Sequence, residues 1–209
     1  MLGGTTTPSL PSPRSIWENE LTKTHVLFIQ GGGKGAHHED APLASSLKRA
    51  LGSEYEVHFP LMPHEADPNV GAWKEKISVE LSHLPGAVVI VAHSIGGSIL
   101  LRYLTEEKAQ ATVASAFLLA APSWDGDRWS FDDLKLPTDA AERLAFIPRL
   151  VFYHCRDDGN VPSAHLELHG RIFPRATTQL LPSGGHQFGN DLAGVAADIR
   201  RSSAADVAA

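Results

Sequence analysis

Six short apolar runs recur along the chain, each bounded by turn residues: HVLFIQ (25–30), YEVHFP (55–60), AVVIVA (87–92), SAFLLAA (115–121), RLVFYHC (149–155) and TTQLLP (177–182). Several are apolar almost throughout instead of alternating, the pattern of strands covered on both faces. Longer segments between them carry helical spacing. PLASSLKRAL (42–51) has leucines at 43, 47 and 51, and VGAWKEKISVELSHL (70–84) puts Val70, Trp73, Ile77, Leu81 and Leu84 on one face. The segments IGGSILLRYLTEEK, SAHLELHGRIF and NDLAGVAADIRR follow the third, fifth and last strands. Strand and helix alternating this regularly predicts βαβ units: a single-domain α/β fold, with a mostly parallel six-stranded sheet and helices on both faces.

Two stretches break the pattern. MLGGTTTPSLPSPRS, residues 1–15, has neither the apolar region of a secretory signal nor enough apolar area to offset its ordering entropy. It reads as a flexible tail ahead of a domain over 16–209. The 27 residues of 122–148 hold at most one short helix, near 138–146, and carry two of the four tryptophans. A connection that long tends to be functional. It leaves the carboxyl end of a strand, where open parallel sheets bind ligands, and so reads as a lid-like insertion.

Composition narrows the function. The 209 residues are 43% hydrophobic and 20% charged, with a formal net charge of −6, so nothing favours nucleic acid or an anionic membrane as a partner. No stretch approaches the ~18–20 apolar residues of a membrane span. The single cysteine, Cys155, excludes an internal disulfide framework and suits a reducing cytoplasm.

The run VVIVAHSIGGSIL (88–100) reads as a buried strand that turns sharply at Ser94 into a helix. A serine there sits at the carboxyl edge of the sheet and at a helix N-terminus, whose partial positive charge stabilises a developing anion. Close approach of strand and helix requires small residues two before and two after it, and Ala92 and Gly96 meet that requirement. The segment is a variant of the nucleophile-elbow pattern G-x-S-x-G. A serine hydroxyl needs a base, and the base needs an orienting carboxylate. YHCRDDGNVP places Asp157 and Asp158 just beyond the fifth strand, and LLPSGGHQF places His186 just beyond the sixth. Position alone does not choose between the two aspartates.

With HSIGGS, RDDGNVP and GGHQF in this order, the chain over about 24–200 resembles a minimal α/β-hydrolase of the serine esterase type, lacking the antiparallel pair that opens larger members. Ala92 departs from the family's commoner glycine. The resemblance implies Ser94 as nucleophile, His186 as base and Asp158 as acid, because the family's acid lies four residues before the proline of the Val-Pro pair, here Pro162. An acid from the preceding strand end, Asp125 or Asp127, is the variant seen in some hydrolases. The oxyanion hole would use the amide of Ile95 and one from QGGGKGAHHED, where Gln30-Gly31 replaces the usual His-Gly pair; Gly32 comes first and Gly33 second. The implied activity is cleavage of a small carboxylic ester or thioester through an acyl-enzyme, with no cofactor. Thioesterase, amidase, peptidase and acyltransferase chemistry would use the same residues, and an idle binding protein on this scaffold is the alternative of another class.

Other residues are read more plainly. His37, His38, Glu39 and Asp40 lack the H-E-x-x-H spacing, so no metal is expected there; they line the pocket or are solvated. The glycines after the first strand lack the Gly-Lys-Ser/Thr of a phosphate loop. His93 is expected to pack or hydrogen-bond under the elbow, and His154 and Cys155 to be structural. Trp124 and Trp129 are candidates to face the substrate from the insertion, with Gly33 and Met62 (or His64) as further pocket wall.

Overall fold

The computed structural model describes residues 23–106, 112–124 and 131–207. The tail expected over 1–15, Trp129, Asp125 and Asp127 lie outside them. Six strands, β1 (Thr24–Ile29), β2 (Tyr55–His58), β3 (Ala87–His93), β4 (Thr112–Leu119), β5 (Arg149–Cys155) and β6 (Thr177–Leu181), form one sheet in the order β2-β1-β3-β4-β5-β6. Every neighbouring pair is parallel. The helices among the described residues are α1 (Ala36–Leu51), α2 (Val70–His83), α3 (Ser94–Glu106), the one-turn α4 (Ala140–Arg143), α5 (Ala164–Ile172) and α6 (Ala193–Val207).

The sheet separates two cores, as the uninterrupted apolar runs require. On one face Leu43, Leu47 and Leu51 of α1 join Val195, Ala196 and Ile199 of α6 over Val26, Phe28, Val89 and Val91. On the other, Trp73, Ile77 and Leu81 of α2 and Ile99 to Leu101 of α3 cover Leu27, Ile29, Val88 and Ile90. Edge strand β6 is exposed except near Leu181. β2 and β3 lie on opposite sides of β1, so the chain reverses its winding between β1 and β3. Ligands of open parallel sheets sit at such a reversal. The loops that leave β1 and β3 there begin at Gln30 and Ser94.

Helix α1 starts six residues before the Pro42 at which the sequence pattern begins it. Gly35, in the left-handed region, precedes it and no neighbouring side chain caps it. Its first amides are instead capped from a distance: the Glu65 carboxylate accepts from Gly35 N at 3.0 Å and His37 N at 2.8 Å. These bonds, led by that from His37, hold the Glu65 carboxyl below its ordinary range. Of the insertion, the described residues form a 3-10 turn at Asp132–Leu134 and α4, with Leu134, Ala140, Leu144 and Ile147 buried in the core. Its start is pinned by α5, since His165 Nδ1 accepts from Ser123 N at 2.9 Å and His169 Nε2 donates to the Ala121 carbonyl at 3.0 Å. Burial pushes His169 down to about 4, so it serves as a neutral donor.

Candidate active site

Ser94 has φ +52°, in the left-handed region that non-glycine residues seldom adopt. Ala92 is fully buried, and a Cβ on Gly96 would lie 2.1 Å from the Gln30 carbonyl oxygen, so the helix could not close on β1 with any larger residue there. The turn at Ser94 and the glycine after it are thus one device: close packing of α3 on the sheet forces the serine up onto the carboxyl edge.

His186 reaches that serine. Its Nε2 lies 3.0 Å from Ser94 Oγ, and its Nδ1 lies 2.9 Å from Asp158 Oδ2. With Nδ1–H donating to the carboxylate, Nε2 is free to accept the serine proton. The Asp158 side chain is fully buried. Burial would raise its carboxyl, but contacts from His154 and His186 and amide bonds from Val161 (2.9 Å) and Asn160 (2.8 Å) outweigh it. They hold the group well below the usual carboxylate range. His154 Nε2 donates to the Val161 carbonyl at 2.8 Å and stands 3.2 Å from Asp158 Oδ2, so it braces the acid loop. Asp157, its neighbour, faces away and accepts from Gly184 N (3.2 Å) and Gly185 N (2.9 Å), which fixes the loop that carries His186. Cys155 is fully buried below; burial and the two aspartates push its thiol up to about 11, which keeps it protonated and unreactive.

The three loop amides after β1 are used differently. Gly31 N donates to Asp40 Oδ2 at 2.7 Å and Gly33 N to the Glu65 carbonyl at 2.6 Å, so neither is free for a ligand. Gly33 as a substrate contact through its amide is thereby corrected. Gly32 has no such partner among the described residues and packs against Ile95, whose Cγ2 would meet a Cβ on Gly32 at 2.7 Å. Ile95 N belongs to the first turn of α3, where amides have no intrahelical acceptor. Ile95 follows Ser94 directly, and Gly31, the residue before Gly32, packs on the serine, where an added Cβ would lie 3.2 Å from Ser94 Cβ.

Beneath the elbow lies a layer that spacing did not reveal. Asp40, read as solvated or pocket-lining, is only 1% exposed. It accepts from Gly31 N, from His93 Nδ1 at 2.9 Å and from Gln187 Nε2 at 3.1 Å. Despite burial, the hydrogen bond and charge of His93, with the Gly31 and Gln187 bonds, hold its carboxyl below the ordinary value. His93 Nε2 in turn donates to the His186 carbonyl at 3.0 Å. Gln30, fully buried in place of the expected histidine, donates to Glu65 Oε2 at 2.8 Å and accepts from Met62 N at 3.1 Å. Met62 is therefore corrected as well: held by that bond, its side chain is 1% exposed in the hydrophobic core and offers no surface to a substrate. Trp124 is half-buried, packed on the same core and edge-on to Phe131, ring centroids 6.1 Å apart.

An all-parallel sheet with a strained serine between β3 and α3, and an acid and a histidine on the loops after β5 and β6, is the α/β-hydrolase architecture. The chain belongs to the serine hydrolase family, whose model matches residues 36–186. Among solved structures it is similar to the ydeN gene product of B. subtilis, at 18% identity and TM-score 0.70, over 87% of this chain and all of that one. It is also similar to a serine hydrolase involved in carbazole degradation, the CarC enzyme (14% identity, TM-score 0.66, 88% of this chain and 92% of that one). A pyrethroid hydrolase from Sphingobium faniae JZ-2 matches at 15% identity and TM-score 0.60, over 86% and 97%. At these identities the likeness is one of fold. No curated protein matches the chain at a significant level.

Proposed function

We propose that this serine hydrolase cleaves a small carboxylic ester or thioester in two steps, with Ser94 as nucleophile, His186 as general base and acid, and Asp158 as the group that orients the imidazole. The observation that carries the reading is the continuous relay from Asp158 through His186 to Ser94, with contacts of 2.9 and 3.0 Å. Ser94 Oγ attacks the acyl carbon while its proton passes to His186 Nε2. The carbonyl oxygen becomes an oxyanion, received by the N–H groups of Ile95 and Gly32. Such a donor contributes roughly 2.7–4 kcal/mol where it has been removed from other enzymes. His186 returns the proton to the leaving oxygen or sulfur, the alcohol or thiol departs, and water repeats the sequence on the acyl-serine.

Two similar structures support the substrate class, a pyrethroid hydrolase and a lipase-esterase related protein. No helix among the described residues is long and apolar enough to cross a membrane, and the lone buried cysteine fits a cytoplasmic setting. The test is fluorophosphonate labelling followed by a series of p-nitrophenyl esters of increasing acyl length. Wild type should be labelled at Ser94 and turn over the shorter esters. Ser94→Ala should lose labelling and about 10⁶ in turnover, the loss of a serine nucleophile in subtilisin. Undiminished turnover by folded Ser94→Ala protein overturns the mechanism.

A further inference from the structure

His25 and His58 face each other nitrogen to nitrogen, with Nδ1 of the first 3.0 Å from Nε2 of the second. The register of β1 and β2 explains the meeting. His25 pairs with Glu56 and Leu27 with His58, so both histidines and the glutamate project from one face of the sheet. Leu27 marks that face as the one covered by α2. Together the two imidazoles and the Glu56 carboxylate form a cluster whose donor atoms all lie within 4.8 Å of one another. No local motif announces it, because its members come from two strands some thirty residues apart.

We propose that His25, Glu56 and His58 form a binding site for a divalent transition-metal cation of the zinc class, separate from the catalytic centre. Two Zn–N bonds of about 2.0–2.1 Å at a tetrahedral angle hold their nitrogens about 3.3–3.4 Å apart. The observed 3.0 Å needs only a slight opening of the two rings. Two imidazoles and one carboxylate suit zinc, cobalt or nickel and do not suit magnesium or calcium, which take oxygen donors. The charge balance agrees, for Glu56 and Glu80 of α2 both place negative potential on His58. Without metal, one ring donates its N–H to the lone pair of the other. Binding moves that proton to the ring's other nitrogen, leaving two lone pairs and the carboxylate for the ion and a fourth position for water.

His25 is nearly buried, whereas Glu56 and His58 are half-exposed on the edge strand, so the ion has a path in from solvent. The site lies roughly 16 Å down β1 from Gln30, at ~3.3 Å per residue. Its effect would be structural: it ties the four-residue edge strand β2 to β1.

The full chain is titrated with Co²⁺ and then Zn²⁺. We expect d–d absorption of a tetrahedral nitrogen–oxygen site, bleached by one equivalent of Zn²⁺, and a rise in melting temperature with Zn²⁺. His58→Ala and Glu56→Gln should each weaken Zn²⁺ binding by at least the ~10–100-fold that loss of an outer-shell partner costs in other sites. His38→Ala should leave it unchanged. The carboxamide is isosteric, so Glu56→Gln remains informative if His58→Ala folds poorly. Ester turnover should be the same before and after chelation, which separates this inference from the hydrolase reading. Absence of saturable Zn²⁺ binding, or binding that survives both variants, overturns it.

Discussion

His93, the residue before Ser94, holds the main-chain carbonyl of His186, the residue that carries the proposed base, at 3.0 Å. The same ring contacts Asp40, and Asp40 holds the first amide of the glycine loop after β1 and the side chain of Gln187. One buried histidine–aspartate pair therefore ties together three loops from three strand ends. The turn at Ser94, the loop that carries His186 and the glycine loop after β1 cannot shift independently while it is intact.

The expected consequence is a fall in kcat larger than any change in KM when Asp40 is replaced by Asn, since an amide cannot accept from all three donors. Displacement of reacting groups by about 1 Å costs on the order of 10²-fold. His93→Gln should behave similarly, and the double variant should lose much less than the sum of the singles, as residues acting as one unit do. Steady-state kinetics well below each variant's melting temperature make the comparison. Additive losses would mean that the two residues act separately.

The sequence pattern exposed the sheet and the three strand-end loops because both depend on local features: apolar runs, and turn residues after them. It missed Asp40 because the start of α1 was hidden. That helix is capped by Glu65 from across the sheet edge, and a distant cap leaves no local signature. Met62 misled for the opposite reason. It lies in a polar, proline-rich stretch at the right edge, yet the Gln30 side chain draws its backbone inward and its side chain follows into the core. The His25–His58 contact depends on strand register, which spacing does not encode.

Gly96→Ala tests whether the elbow depends on close packing. The new methyl would lie 2.1 Å from the Gln30 carbonyl oxygen, just past the end of β1, and 3.0 Å from Ile29 Cγ2, its last residue. Overpacking of this kind costs about 1–3 kcal/mol. Gly194→Ala is the control, because its added methyl meets nothing within 4 Å and its φ is not positive. It should be stabilising by about 0.4–1 kcal/mol through the unfolded chain. Denaturant midpoints of the two variants should move in opposite directions.

Acid should destabilise the fold partly through Asp158. Its folded carboxyl is held below the ordinary value of ~3.9, so its contribution is present above that value and is lost as pH falls through the folded one. Asp158→Asn has no charge to lose. Its stability should be lower at neutral pH and should fall less below about pH 4, so that the curves converge. Urea midpoints from neutral pH to pH 3 decide it, and parallel curves would show that ionised Asp158 adds no stability.

The two adjacent aspartates should separate by mechanism. Asp158 is buried and faces His186 Nδ1, whereas Asp157 is exposed and holds only the amides of Gly184 and Gly185. Asp158→Asn presents an amide that can hold the wrong imidazole tautomer, a change that costs about 10⁴ in turnover in the chymotrypsin-type triad. Asp157→Asn keeps an oxygen that can still accept from one glycine amide, so its effect should be the loss of one surface hydrogen bond, about 0.5–1.5 kcal/mol of loop stability. Its turnover should stay within about tenfold of wild type, with most of the loss recovered at lower temperature as the loop reorders. Asp158→Asn should show no such recovery, because a wrong tautomer is not repaired by cooling. Near-normal turnover in Asp158→Asn, with collapse in Asp157→Asn, would reverse the two roles.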